Sequence, residues 1–396
     1  MSLLRLSLIV CAFVMTSCNI SVTSFPSSPD PAVEAVEKTE TPPTPYPDTP
    51  APPEINAQAV ESPAFVDIQF FSELDGWGVT ETYIVRTNDG GITWYDVTPP
   101  DLEEIGYTVH TFILDENHAW VQKPDFNNFP NNGLLYHTAD GGLTWSISST
   151  PFSGGDLSFL DASNGWMLAD LGVGAGSNAV AVFQTTDGGA TWTQTYTNDP
   201  NNPEASDSLP LGGIKSDLVP LDMQTAWVGG VVYAPGSIYL FRTDDGGATW
   251  TPVSLDLPEG TEEVELGIDR DQMHFVSEQD GFLIVRMSGK STQTAVYVTT
   301  DGGESWTLTP TLIPEAGQSD FLSAEEAIIY NGEEFYVTRD TASTWATVSP
   351  DIVFGDSFAL MDFVNPNSGW IVTVADDQHA LYRTHDGGAT WLPASP

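Results

Sequence analysis

The chain has 396 residues, and its 55 Asp and Glu against 11 Lys and Arg leave a formal charge of −44. A surface this acidic repels phosphate backbones and anionic headgroups, which argues against nucleic-acid binding and against adsorption to a lipid surface. Cations, cationic partners and neutral ligands stay open.

The first element in chain order reads as an export signal. Arg5 supplies a positive start, and Leu6 to Met15 is an apolar run too short to span a bilayer as a mature helix. It ends in Met15-Thr16-Ser17-Cys18, which resembles the bacterial lipobox and makes Cys18 the expected lipidation site. A simple signal peptide cut nearby is the alternative. Residues 1–18 are therefore assigned as a lipoprotein-type signal peptide. The only membrane contact expected is an N-terminal lipid anchor that holds an exported chain at the cell envelope. The two cysteines are Cys11 and Cys18, so the folded part has no thiol for a disulfide or a thiolate nucleophile.

Residues 19–62 form the second segment, rich in Pro, Ser, Thr and Glu, with little to bury. Such a composition predicts a disordered, polyproline-like tether, and some 40 residues of it would reach on the order of 100 Å.

From residue 63 to 396 two markers repeat. The first is TNDGGITW (87–94), TADGGLTW (138–145), TTDGGATW (185–192), TDDGGATW (243–250), TTDGGESW (299–306) and THDGGATW (384–391). A degraded copy, TRDTASTW (338–345), lacks both glycines. The second marker is an apolar pair, a polar turn and then usually Gly or Ala with an aromatic, as in FFSELDGW (70–77) and FLDASNGW (159–166). Both markers recur in seven units with a period of about fifty residues, which must be read as a repeat architecture.

Each unit parses into four short strands; in the first these are Phe65–Phe71, Trp77–Thr80, Tyr83–Arg86 and Thr93–Val97. The expected fold is an all-β, seven-bladed β-propeller with four-stranded antiparallel blades. The first marker falls at the third-to-fourth strand turn. There adjacent glycines take positive φ cheaply, the Asp accepts backbone N–H groups, and the Trp clamps the last strand. A structural role is therefore expected for Asp89, Asp140, Asp187, Asp245, Asp301, Asp340 and Asp386. The same holds for Trp94, Trp145, Trp192, Trp250, Trp306, Trp345 and Trp391. Carboxylates spread around a ring do not converge on one substrate. The glycine-free unit is expected to lack the double-glycine turn and to open most easily.

These motifs resemble the Asp-box, or BNR repeat, of sialidases, xyloglucanases and sortilin-type receptors. The paired markers look most like the photosystem II stability/assembly factor propellers and their bacterial relatives, and the resemblance covers residues 64–396. It implies the fold far more strongly than an activity.

The enzyme readings that the resemblance raises find little support in the residues. Sialidases open with Arg-Ile-Pro, which is absent, and bind substrate with three arginines; here Arg86, Arg242, Arg339 and Arg383 all adjoin a box Thr. Xyloglucanases place a catalytic Asp on each of two facing propellers, and one is present. The 6 histidines are scattered singly, so no metal site is expected, and no cofactor motif occurs. No catalytic residue is marked out.

If the markers fill one face, the second-to-third strand loops and inter-unit connections share the other. Long segments there are 122–133, 169–178, 196–213, 230–237 and 255–267. They carry Asp125, Phe126, Phe129, Tyr233, Glu262 and Glu263 as the candidate ligand face, with acids beside aromatics. The expected function is a surface-tethered, secreted binding or assembly scaffold, monomeric, with a protein or glycan ligand on that face. The alternative is a carbohydrate-active glycoside hydrolase. Residues 55–62 are expected to pair with the edge of the last blade, whose outer strand is shortened by Pro393.

Overall fold

The computed structural model describes residues 55, 57–102, 105–315, 317–376 and 378–394. Cys18, the signal segment and most of the tether lie outside the described residues.

The box turn is held by its own side chains. In 185–192, Asp187 Oδ1 accepts the Thr191 N–H at 2.8 Å and the Thr185 hydroxyl at 2.8 Å, while Oδ2 accepts the Thr191 hydroxyl at 2.6 Å. Thr185 Oγ1 in turn accepts the Gly189 N–H at 3.0 Å, and the Trp192 indole donates to the Gly189 carbonyl at 3.1 Å. Gly188 and Gly189 sit at φ 72° and 88°, and a Cβ on Gly189 would come within 2.4 Å of Leu135 in the preceding unit. The second glycine thus serves both the turn and the junction between units.

Each unit builds a meander. The first has strands Phe65–Phe70, Gly76–Thr80, Ile84–Thr87 and Trp94–Asp96, within a residue or so of the sequence expectation. All paired strands among the described residues are antiparallel. The fold is an all-β propeller with four-stranded antiparallel blades.

The expectation of seven separate blades needs correction. Five sheets stand alone, four of four strands and one of five, whereas units four and five run together as one nine-stranded sheet. The cause is local. The opening strand of unit five is broken into Glu265–Gly267 and Met273–Phe275, and its first half reaches back to pair Gly267 with Val231 of unit four. The Ile268 N–H to Gly230 carbonyl bond, 3.1 Å, reinforces that join.

A second correction concerns the segment before the first strand. Ala59–Val60 pairs with Trp94–Asp96, so it is a fifth strand on the outer edge of unit one and does not extend unit seven. The segment 169–178 is also not an open loop. Strands Gly165–Gly174 and Ser177–Thr185 run nearly to its tip as a long hairpin.

The core sits between units. Trp77, Trp120, Trp166, Trp227 and Trp370 of the second marker are wholly buried. Each hydrophobic cluster straddles two successive units, and one joins Leu360, Trp370 and Val372 of unit seven to Phe65, Phe70 and Trp94 of unit one. The Trp370 indole donates to the Gly90 carbonyl at 3.0 Å, which ties the ends of the ring. The first strands of neighbouring units contact one another, so they are the innermost strands of the ring.

A candidate binding cavity opposite the Asp-box turns

The connections between second and third strands lie at the end of the strands opposite the box turns. There, lined by units two, three and four and by Arg270 of unit five, is a cavity of about 360 Å³. Its apolar wall comes from Phe126 and Phe129 of unit two and Val173 at the hairpin of unit three. Phe126 is 69% exposed and Val173 67%, so both rings and methyls face solvent around the mouth.

The loop that carries the phenylalanines is braced. Asp125 Oδ1 accepts the Asn127 N–H at 3.0 Å and Oδ2 the Asn128 side-chain amide at 2.6 Å, and Ser153 N–H donates to the Pro130 carbonyl at 2.8 Å. The Asn128 amide and the neighbouring N–H groups hold the Asp125 carboxyl below its ordinary range, so it is ionised at neutral pH. Phe126 is therefore presented by a local turn that its neighbours fix.

The cavity floor holds His110, Asp156, Asp170, Lys215 and Arg270. Lys215 is already occupied: its Nζ donates to the carbonyls of Asn178, Leu211 and Gly213 at 3.0, 3.0 and 3.2 Å. Burial pushes its pKa down to about 8. Arg270 lies 3.4 Å from Asp156, its side chain half exposed, in an ion pair with that carboxyl. Its charge is compensated on the side that faces Asp156, while the half-exposed guanidinium keeps further N–H donors for a ligand. His110 is driven down, first by burial and then by Arg270, and is neutral at pH 7.

Asp156 belongs to a wider arrangement that the sequence reading missed. Its Oδ2 accepts the Leu218 N–H of the next unit at 2.7 Å. Asp320 does the same for Phe363 at 3.0 Å, and Asp362 for Phe70 at 2.6 Å, closing the ring. Innermost strands are thus strapped carboxyl to amide. Burial raises Asp156, Asp217, Asp320 and Asp362 above the usual carboxylate range, and Asp217 and Asp362 are raised further by a neighbouring carboxylate. Asp217 Oδ2 is buried without a hydrogen-bond partner among the described residues, and the neighbouring Asp156 carboxylate raises its pKa. One proton shared between the two satisfies both observations. Of the straps only Asp156 shares a sequence position with Asp67 and Asp217, three residues before the apolar pair of the second marker, whereas Asp320 and Asp362 stand immediately before it.

The remaining candidate residues are only partly gathered. The Tyr233 ring lies over Gly176, on the hairpin of unit three that also carries Val173, and is not among the residues lining the cavity. Glu262 and Glu263 sit on the short turn Thr261–Glu263 against Gly236, next to the Tyr233 loop and away from the cavity. Among the described residues no group of His, Cys, Asp and Glu has metal-binding geometry.

Fold and repeated turn together define an Asp-box, or BNR repeat, β-propeller. Residues 54–197 match the family described as photosynthesis system II assembly factor YCF48, and residues 297–308 match the BNR/Asp-box repeat. The chain is 26% identical to a xyloglucanase from Paenibacillus sp over 339 residues, 77% of this chain and 26% of that protein. It is 27% identical to the photosystem II assembly lipoprotein Ycf48 of Synechococcus sp. (strain CC9902) over 135 residues, 33% of this chain and 37% of that one. This chain thus spans well under half the length of either relative. A solved structure of YCF48 bound to D1 peptide superimposes with a TM-score of 0.51 at 18% identity, covering 85% of this chain and 99% of that chain. That likeness is one of fold.

Proposed function

We propose that this protein is an exported, lipid-anchored scaffold that binds a polypeptide on the face opposite its box turns. In this reading residues 1–18 are the signal, 19–62 the tether apart from the short paired strand at its end, and 63–396 the propeller. The observation that carries it is the braced, solvent-facing Phe126 and Phe129 around a cavity of about 360 Å³. Exposed rings on a fixed loop are what binding sites offer, because they bury area with little loss of freedom. Two similarities support the reading: a YCF48 fold relative was solved with a peptide, and a sequence relative is described as a lipoprotein.

The xyloglucanase similarity favours a second reading, a glycoside hydrolase, in which Asp156 and Asp217 would be the acid pair. Their bonding argues otherwise. A carboxyl-to-amide strap like that of Asp156 recurs at Asp320 and Asp362, outside any shared site, and so belongs to the ring.

The two readings separate in one experiment on the full chain. Incubation with xyloglucan is expected to release no reducing ends, while photo-crosslinking in the native envelope yields protein adducts. Hydrolysis abolished by Asp156→Asn in a variant of unchanged melting temperature would replace the scaffold with the enzyme.

A further inference from the structure

Exposed apolar side chains from three units lie around the cavity and the hairpin beside it. Phe126 and Phe129 of unit two meet Val173 of unit three at the cavity mouth, and Tyr233 of unit four follows over Gly176. Tyr233 is 63% exposed and Phe129 46%. Patches of this kind on a chain of −44 are not needed for solubility and mark a contact surface.

The charges around it are unequal. Acids accompany these side chains: Asp125 on the phenylalanine loop, Asp170 in the cavity lining, and Glu262 and Glu263 on the turn packed against Gly236 of the Tyr233 loop. The Lys and Arg that line the cavity are both answered within the protein, Lys215 by three carbonyls and Arg270 by Asp156, and Arg286, whose charge reaches Tyr233, is paired with Asp269. What Arg270 still offers is its donors, which suit the neutral carbonyl oxygens of a main chain.

Resting on the reading of this face as a polypeptide site, we infer that the partner is a basic segment with a bulky apolar residue. The apolar side chain enters between Phe126, Phe129 and Val173, Arg270 takes a main-chain carbonyl, and flanking Lys or Arg side chains lie against those acids. Charge then governs both selection and rate of encounter, since a field this negative steers cationic ligands and turns acidic ones away.

The test uses the full chain and three labelled nonapeptides with one central Phe, flanked by Lys, Ser or Glu, followed by fluorescence anisotropy. The Lys-flanked peptide is expected to bind at least about tenfold tighter than the Ser-flanked one, with no binding of the Glu-flanked peptide. Raising ionic strength from about 0.05 to 0.5 M should weaken the Lys-flanked peptide severalfold. Phe126→Ala with Phe129→Ala should weaken it about tenfold at unchanged melting temperature, because both rings are solvent-facing. Equal binding of all three peptides that still needs the phenylalanines would end the charge inference and leave the polypeptide site standing. Lys-dependent binding indifferent to the two substitutions would show mere attraction to an acidic surface and overturn the site as well. If no peptide binds while a neutral glycan does, both proposals fall.

Discussion

Thr341 and Ala342 hold φ of 56° each, where every other box turn has two glycines. The expectation that this glycine-free copy folds differently is therefore corrected. Asp340 accepts the Thr344 N–H at 2.9 Å, and Thr338 Oγ1 accepts the Ala342 N–H at 3.0 Å, matching the intact boxes. The side-chain bonds impose the turn, and the left-handed strain is borne by an L-residue pair. One compensation is visible: Ala342 is fully buried in a cluster with Phe282, which replaces the larger Trp of the second marker and leaves room for a methyl. Thr341 gains nothing comparable. Thr341→Gly should stabilise the protein by up to about 1 kcal/mol, the strain relief being offset in part by unfolded-state entropy. A lower melting temperature would show that Thr341 is not strained. Asp187 is solvent-exposed, so Asp187→Ala should cost about 1 kcal/mol, near the low end for a turn acceptor, with peptide binding unchanged. Lost binding at full stability would move the boxes into the site. The turn was legible in eight residues because all its bonds are local. The Asp320 and Asp362 straps were not, because their partners lie 43 and 292 residues away.

Among the elements, unit six has the weakest attachments. In units one, four and seven an Arg just before the box Thr lies over the buried Trp, at 5.9, 5.2 and 5.1 Å, and in units four and seven it also reaches the next unit. Arg242 donates to the Gly303 carbonyl at 3.4 Å and Arg383 to the Glu73 carbonyl at 3.1 Å. Arg339 instead follows its box Thr, Thr338. It is the last residue of strand Phe335–Arg339, two positions beyond the place of the other arginines, which Val337 fills in this unit. It is 60% exposed, its nearest acid 3.8 Å away at Glu326, and a cavity of about 480 Å³ opens between units six and seven. The Trp345 indole N–H is buried without an acceptor. Amide exchange over 318–348 should therefore be faster than over 155–185. The reverse order would mean that box geometry, not these attachments, sets local stability. At the other end of the chain, Ala59–Val60 covers the outer strand of unit one. A chain starting at residue 46 should melt like the full protein, and one starting at 65 several degrees lower. Equal melting temperatures would make that strand dispensable. Sequence patterning revealed the units; it could not reveal their joins, because Gly267 pairing with Val231 depends on how a broken strand falls in space.

At the scale of the whole molecule, the acids divide into two groups with opposite linkage to pH. Hydrogen bonds from Thr191 and Ser305 hold Asp187 and Asp301 below the ordinary value. Their stabilisation is present above the unfolded pKa and is lost in acid, as pH falls through the folded value. The innermost carboxyls behave in reverse. Asp67 is pushed up from 3.8 to about 6 by burial and by Asp271 across the ring. Asp67 is solvent-exposed although protein surrounds it, so solvent weakens the shift without reversing it. A raised folded pKa gives stability that is full below the unfolded value and disappears as pH rises through about 6. With self-repulsion from −44 acting in the same direction, melting should be higher at about pH 5 than at about pH 8 at fixed ionic strength. A melting temperature that climbs from pH 5 to 8 would show that the ring acids titrate as free carboxylates. The propeller thus keeps its locks at the box end and its innermost acids along the axis, which leaves the opposite loops free for a partner. Site-specific photo-crosslinking tests that division most directly, with the reactive side chain placed at Phe126 in one variant and at Ala190, on a box turn, in another. The account predicts a discrete adduct from position 126 that the Lys-flanked peptide competes away, and none from position 190. Adducts from 190 alone would contradict it.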